Sequence, residues 1–350
     1  MAGLLVSALI RSMGRPMLPA ALGSIAAQDY PNIEVIVVAA SGTAHPPVDA
    51  RCGPFPQRLV GNGNRLPRAD AANFALDSAR GDYCVFLDDD DFHDPDHVSG
   101  LMETLAANPG RQVAYSQVRV IAADDSDSGV FGVPYDRLAL HERNYIQIGA
   151  ALFERGLAAS CRFDPAVGAY DDWDFWLQCS EHTDFAFRDH PSTNWRAESG
   201  ESGAGDGANF DPAVNEASRD AVQAKWATVR DGLIERLIAL TEAGYAAQRR
   251  GDHAEAEQRY LEALRIHPSD PHALNFYAML LFARGSVAEA SSCLRRAVRA
   301  HPERTDVACN LARVELHVGN RTAAQRLLEM VLRHEPGNAV ATALLSRLSP

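Results

Sequence analysis

The sequence predicts an α/β domain built on a mainly parallel sheet with helices on both faces, followed by an all-α repeat solenoid. Three observations carry this. Unbroken apolar strands alternate with amphipathic helices in the first half, a run of four aspartates follows one of those strands, and a 34-residue period runs through the last third. At 350 residues the chain is long enough for two domains, since single cores stop growing near ~250 residues.

Val6–Ile10 reads as a buried strand, about 16–28 as a helix and Ile33–Val38 as a second apolar strand. A helix over about 68–79 then leads through Arg80-Gly81-Asp82 into the strand Tyr83–Leu87. Strands that are apolar on both faces belong to a sheet covered on both sides. In such sheets ligands bind beyond the carboxyl ends of the strands. At that end stands Asp88-Asp89-Asp90-Asp91. Four adjacent carboxylates repel one another, and a divalent cation, Mg²⁺ or Mn²⁺, offsets the repulsion while keeping room for substrate phosphates. A solvated acidic loop is the competing reading.

The net charge is −13 and unevenly placed. Residues 237–350 hold 14 basic and 12 acidic side chains, against 19 and 34 in residues 1–236. So acidic a first domain is a poor candidate for nucleic-acid binding, and no nucleic-acid partner is expected. Six scattered cysteines without a CxxC pair fit free thiols in a reducing compartment. The apolar stretch Leu4–Ile10 is short and lacks a basic start, and no later segment reaches membrane-spanning length, so the expected location is cytoplasmic. A single lysine, Lys225, among 33 basic residues is a bias associated with GC-rich bacterial genomes.

Gly251, Gly285 and Gly319 are 34 residues apart, as are Ala256, Ala290 and Ala324, and Pro268, Pro302 and Pro336. Glycine ends the first helix of each pair, alanine lets the two helices approach, and proline closes the second. This pattern, with Gly244, Tyr260 and Ala263 at the remaining small and aromatic positions, resembles the tetratricopeptide repeat. Three repeats over about 237–338 and a terminal helix over 339–348 are expected. Asp211-Pro212 reads as the N-cap and first residue of a helix to about residue 230. The expected divisions are therefore 1–210, a connecting helix at 211–236, and the repeats at 237–350. Such arrays bind a protein partner or mediate self-association.

The first domain resembles the inverting family 2 glycosyltransferases of the nucleotide-diphosphosugar (GT-A) fold. The resemblance rests on Arg15-Pro16, the stretch Ser24–Val38, Ala71-Ala72-Asn73, Ala79–Tyr83, Phe86–Asp91, Pro95-Asp96-His97, Leu152–Arg155, Phe163-Asp164 and Asp171–Trp176. It implies a metal-dependent transfer of sugar from a nucleotide-diphosphosugar to an acceptor hydroxyl. By the resemblance, Asp88 and Asp90 hold the metal, with Asp88 and Asp89 toward the nucleotide. Asp172 matches the general base, with Asp174 in reserve. A carboxylate takes the acceptor proton while the cation neutralises the departing diphosphate. Asp residues at a helix start also suit its dipole, so Asp171, Asp172 and Asp174 have a structural reading beside the catalytic one.

Arg196 falls where relatives carry a phosphate-binding arginine, and Glu198 where they carry a histidine that is sometimes a metal ligand. The glycine-dense segment 199–207 reads as a lid over the donor or as a linker. The chain departs from its relatives after the second strand, where Ala39-Ala40-Ser41-Gly42 replaces the acidic residues that bind the base. Asp70 or backbone groups are the substitutes, Asn73 matches a family position in the following helix, and Arg11 or Arg68 holds the pyrophosphate. The donor is a UDP-, dTDP- or GDP-sugar, and the acceptor a glycan or a protein. Two other readings compete: a non-catalytic nucleotide-binding scaffold whose repeats bind a protein, and a nucleotidyltransferase, for which Ser12-Met13-Gly14-Arg15 is a poor phosphate loop.

Overall fold

A computed structural model describes residues 3–197 and 211–348. Glu198 and the glycine-dense segment 199–207 lie outside the described residues. The chain divides into two compact units, one of residues 1–135 and 140–227, the other of residues 136–139 and 228–350.

The first unit opens with β1 (Val6–Ser12), α1 (Leu18–Ala26) and β2 (Ile33–Ala39), followed by β3 (Arg51–Cys52), β4 (Phe55–Val60), α2 (Arg68–Ser78) and β5 (Tyr83–Asp88). Next come β6 (Phe92–His93), α3 (His97–Ala106), β7 (Val113–Ile121), β8 (Asp127–Phe131), α4 (Arg137–Glu142) and β9 (Ala151–Glu154). It ends with α5 (Asp171–Ser180), β10 (Phe185–Arg196) and the first part of α6 (Pro212–Arg250). The sheet order is β3-β4-β2-β1-β5-β9-β7-β10-β6, with β8 on β7.

β1 pairs in parallel with β2 on one side and β5 on the other. All seven residues of β1 and of β2 are buried, as central strands covered on both faces require. The chain moves outward from β1 to β2 and β4, then returns through α2 to β5 on the opposite flank. This reversal makes the β1/β5 boundary the switch point, where crossover loops part and leave a crevice. The sheet is less uniformly parallel than expected. β9 runs antiparallel between β5 and β7, and β3, β6 and β8 are also antiparallel to their neighbours. β3 and β4, and β7 and β8, are joined by short loops, which suffice for antiparallel pairs.

Under the antiparallel half lies an aromatic core. Phe163 stacks on Phe175 at 4.4 Å, and Phe153 meets Phe175 and Trp176 edge-on. The indole N–H of Trp173 donates to the Leu140 carbonyl at 2.6 Å, and that of Trp176 to the Ile146 carbonyl at 3.0 Å. Both tryptophans thus satisfy their only polar atom while fastening the 140–146 segment to α5.

The second unit holds the remainder of α6, then α7 (His253–Ile266), α8 (Pro271–Ala283), α9 (Val287–Ala300), α10 (Thr305–His317), α11 (Arg321–His334) and α12 (Ala339–Ser346). The expected break between a connecting helix and the first repeat does not occur. α6 is one helix of 39 residues, because 231–236 contains no proline, and the single Gly232 costs only ~1 kcal/mol. Gly251, Gly285 and Gly319 have φ of 82°, 84° and 84°, the left-handed conformation that closes the first helix of each pair. Ala256, Ala290 and Ala324 are fully buried where the paired helices meet. Gly244 permits a closer approach still: a Cβ there would lie 2.6 Å from the Tyr260 ring. Among the described residues no helix is long and apolar enough to cross a membrane.

Candidate active site

β1 and β5 end side by side, with Arg11 opposite Asp88 in register. The Arg11 guanidinium donates Nε and Nη2 to the two Asp88 oxygens, both at 2.9 Å. Its Nη1 lies 3.6 Å from Asp171 at the start of α5. Arg68, the first residue of α2, donates Nε to the other Asp171 oxygen at 3.0 Å. Two arginines and two aspartates from four elements therefore form one buried network, in which each charge faces an opposite one. Burial opposes ionisation of Asp88, yet Arg11 and Arg68 hold its carboxyl below the usual range.

After Asp88 the chain turns sharply, with the Asp91 N–H donating to the Asp88 carbonyl. This turn separates the four carboxylates. Asp89 points into the β1–α1 loop, where Ser12 Oγ, the Met13 N–H and Arg15 Nη1 each donate at 2.8 Å. The other three converge: oxygens of Asp88, Asp90 and Asp91 lie within 4.8 Å of one another. Arg15 approaches Asp90 at 3.2 Å. Asp91 accepts from the Arg196 N–H at 2.9 Å and from the Gln147 amide at 3.1 Å. Burial, with Asp90 and Asp88 beside it, raises the Asp91 carboxyl well above the usual range. A concentration of negative charge that lifts a carboxyl in this way is the setting a hard divalent cation fits, with oxygen ligands only.

Asp172 stands across the crevice in the first turn of α5. One oxygen, Oδ1, accepts from the Trp173 N–H at 2.8 Å and the Asn144 amide at 3.2 Å. Oδ2 has no hydrogen-bond partner among the described residues. Desolvation by burial is the largest influence on this carboxyl; Arg68 opposes it, Asp171 adds to it, and the pKa rises to about 6. Asp172, Asp88 and Arg68 line one cavity of about 250 Å³. The 144–148 loop forms part of its wall, and ties the two acidic groups together through Asn144 on Asp172 and Gln147 on Asp91.

Two stretches of the chain match known families. Residues 7–149 match the family described as Glycosyl transferase family 2, and residues 241–305 match the tetratricopeptide repeat. The first unit is thus similar to family 2 glycosyltransferases over residues 7–149. The amylovoran biosynthesis glycosyltransferase AmsB of Erwinia amylovora is 28% identical over 172 residues, covering 44% of this chain and 56% of that protein. The uncharacterized glycosyltransferase YwdF of Bacillus subtilis is 24% identical over 176 residues, 47% of this chain and 64% of its own length. A third relative, the uncharacterized protein y4gI of Sinorhizobium fredii, is 28% identical, and the match spans only 17% of it. The chain thus spans less than two thirds of each of these relatives. Among solved structures, the first repeat domain of Spaghetti (RPAP3) bound to an HSP90 peptide is 24% identical, with a TM-score of 0.31, over 33% of this chain and 90% of that one.

Within the first unit, the residues singled out from sequence separate into two groups. Arg11, Arg68, Asp88, Asp90 and Asp172 gather at the crevice. Arg196 reaches its edge, where its Nη1 donates to the Asp90 carbonyl at 3.1 Å and its guanidinium lies 4.6 Å from the centre of the Phe92 ring. Asp89, Asn73, Asp174 and Asp70 are placed otherwise. The Asn73 amide clamps the Phe163 backbone with two hydrogen bonds, at 2.8 and 3.0 Å. Asp174 is fully buried, with Trp226 Nε1 at 2.7 Å on one oxygen and Lys225 Nζ and Gln178 Nε2 at 2.9 and 2.8 Å on the other. It locks α5 to α6, and both its oxygens are committed. Asp70 is exposed in the first turn of α2. Asp91, Asn144 and Gln147 are site residues that motif reading passed over. Asp91 closes the quoted acidic run, whereas no local pattern marks the two amides.

Proposed function

We propose that the chain is an inverting, metal-dependent glycosyltransferase that moves a sugar from a nucleotide-diphosphosugar to an acceptor hydroxyl, in the cytoplasm. The single observation that carries this is that one cavity is lined both by Asp88, a member of a three-carboxylate cluster, and by the separate Asp172.

Asp88, Asp90 and Asp91 would hold Mn²⁺ or Mg²⁺, and a cation there supplies neutralisation of the departing diphosphate. The protein's own residues do the rest. Asp172 Oδ1 is pinned by Trp173 and Asn144, which leaves Oδ2 to receive the acceptor proton. A carboxyl raised to about 6 is mostly ionised at neutral pH yet basic enough to share a proton in the transition state. Asn144 acts as a positioning residue, because it fixes which oxygen faces the cavity. Arg68 and Arg196 stand on the crevice as cations for phosphate oxygens, and Arg11 holds Asp88 and Asp171 in place. Attack from the Asp172 side, with the leaving group on the metal side, gives inversion at the anomeric carbon. The tetratricopeptide repeats recruit a protein partner or bring the acceptor.

Calorimetric titration of the full chain with UDP, dTDP and GDP, each with and without Mn²⁺, tests the donor site. Mn²⁺-dependent binding of one nucleotide, absent in Asp90→Ala, is the expected result. If no nucleotide binds under either condition, the transferase reading is lost and a repeat scaffold on a non-catalytic domain takes its place.

A further inference from the structure

Beyond Arg68 and Asp88, the wall of the cavity beside Asp172 is largely aromatic. Phe131, Tyr145, Tyr170 and Trp195 surround it, with Ile146 and Ile148 between them. The rings of Phe131 and Trp195 stand 6.0 Å apart at 84°, so they form a corner in which one ring turns its face where the other turns its edge. Phe131, Tyr170 and Trp195 are each only half-buried. Aromatic surface left partly in water around a concavity is surface for a ligand to cover. Polar groups are few and lie toward the catalytic end: Asp172, Asp88, Arg68 and the amides of Asn144 and Gln147.

Acceptors of different chemistry ask for different surroundings. An anionic acceptor such as a prenyl phosphate would meet the Asp172 carboxylate and compete with the donor diphosphate for Arg68, the one cation of the lining, whose Nε already donates to Asp171. A peptide serine arrives with a run of backbone amides that need partners, which ring faces do not supply. A neutral sugar ring presents a face of polarised C–H bonds to the negative face of an aromatic ring. It also carries a rim of hydroxyls for a carboxylate and two amides. Resting on the transferase reading above, we propose that this cavity binds a neutral pyranose, so that the acceptor is a glycan hydroxyl. Trp195 and Tyr170 are its stacking platforms, and Asp172 its proton acceptor. In the transfer, the acceptor oxygen bonds to the anomeric carbon as the bond from that carbon to the phosphate oxygen breaks. The electron pair leaves with the nucleoside diphosphate, and the hydroxyl proton passes to Asp172.

Saturation-transfer NMR on the full chain tests this, with methyl glycosides of the common neutral hexoses and deoxyhexoses, the peptide acetyl-Gly-Ser-Gly-amide, and farnesyl phosphate as probes. UDP, dTDP and GDP with Mn²⁺ are titrated in the same preparations. Saturation of the C–H protons of at least one glycoside is expected, with affinity falling about tenfold in Trp195→Ala and Tyr170→Ala. Trp195→Phe, which keeps a ring, should lose only a few-fold and separates stacking from misfolding. Binding of the peptide or of farnesyl phosphate in place of any glycoside would overturn the proposal in favour of that class. Glycoside binding that persists in both alanine variants would also overturn it, by placing the sugar elsewhere. A nucleotide that binds while no glycoside does ends this inference and leaves the donor site intact; failure of every nucleotide ends the transferase reading itself.

Discussion

Replacing Asp172 by asparagine is expected to make the protein more stable at neutral pH while removing transfer. In the fold the carboxyl titrates at about 6 instead of 3.8, about two pKa units, and at ~1.36 kcal/mol per unit the ionised form costs the native state about 3 kcal/mol. Asp172 is only 7% exposed, so solvent screening removes little of this. The direction follows from proton binding. Between pH 3.8 and 6 the folded chain holds a proton at this site that the unfolded chain has released, so wild-type stability falls as pH rises through that window. Asparagine has no charge to desolvate, and its Oδ1 can still accept from the Trp173 N–H. Its advantage should be about 3 kcal/mol at pH 7.5, shrink to about 1 kcal/mol at pH 4.5 and vanish below ~3.8. For a domain of this size that amounts to about 6–12 °C in melting temperature at pH 7.5. Thermal unfolding of both proteins at the two pH values is the assay. Other titrating groups, including the buried His93 and His97 whose imidazoles burial holds neutral, cancel in the difference between variants. An Asp172→Asn protein that is equally or less stable at pH 7.5, or whose advantage does not change with pH, would refute the reasoning.

Arg11→Met should destabilise the first unit by about 3–5 kcal/mol, because it strands Asp88 and Asp171 as buried carboxylates with one guanidinium fewer; the denaturant midpoint reads this. Two glycines of the same helix should respond in opposite directions to alanine. Gly232→Ala meets nothing within 4 Å and should gain about 0.5–1 kcal/mol from helix propensity. Gly244→Ala drives a methyl to 2.6 Å from Tyr260, and about 1–3 kcal/mol of overpacking outweighs the same gain; melting of the two single variants compares them directly. Asn144→Ala should lower kcat more than it raises the KM for donor, and shift the acid limb of the pH profile, since it frees the Asp172 carboxylate to turn.

What could be read from the sequence was what repeats or alternates. The apolar runs of β1, β2 and β5, the aspartates after β5, and the 34-residue spacing of Gly251, Gly285 and Gly319 are all local patterns, and each has a local physical cause. The site is not local. Arg68 meets Asp171 across 103 residues, Gln147 meets Asp91 across 56, and Asn144 meets Asp172 across 28. Nothing in the 144–148 segment marks two amides as the link between the acidic groups. Residue type also misleads where a carboxylate has two uses. Asp89 and Asp174 have neighbours of the same kind as Asp90 and Asp172, yet one ties the β1–α1 loop and the other ties α5 to Lys225 and Trp226. Only the turn after Asp88 and the helical phase of α5 decide which acid faces the crevice. The 39-residue α6 runs past the expected end near residue 230, where no proline stops it.

The most direct test of the central claim is release of nucleoside diphosphate from the matching nucleotide-sugar, followed in the wild-type chain and in Asp172→Asn with saturating Mn²⁺. The wild type should turn over and yield a product of opposite anomeric configuration to the donor. The variant should bind the nucleotide as tightly and be slower by a factor of at least ~10². Equal rates in the two proteins, or a product that retains the donor's configuration, would contradict the assignment of Asp172 as the base of an inverting transfer.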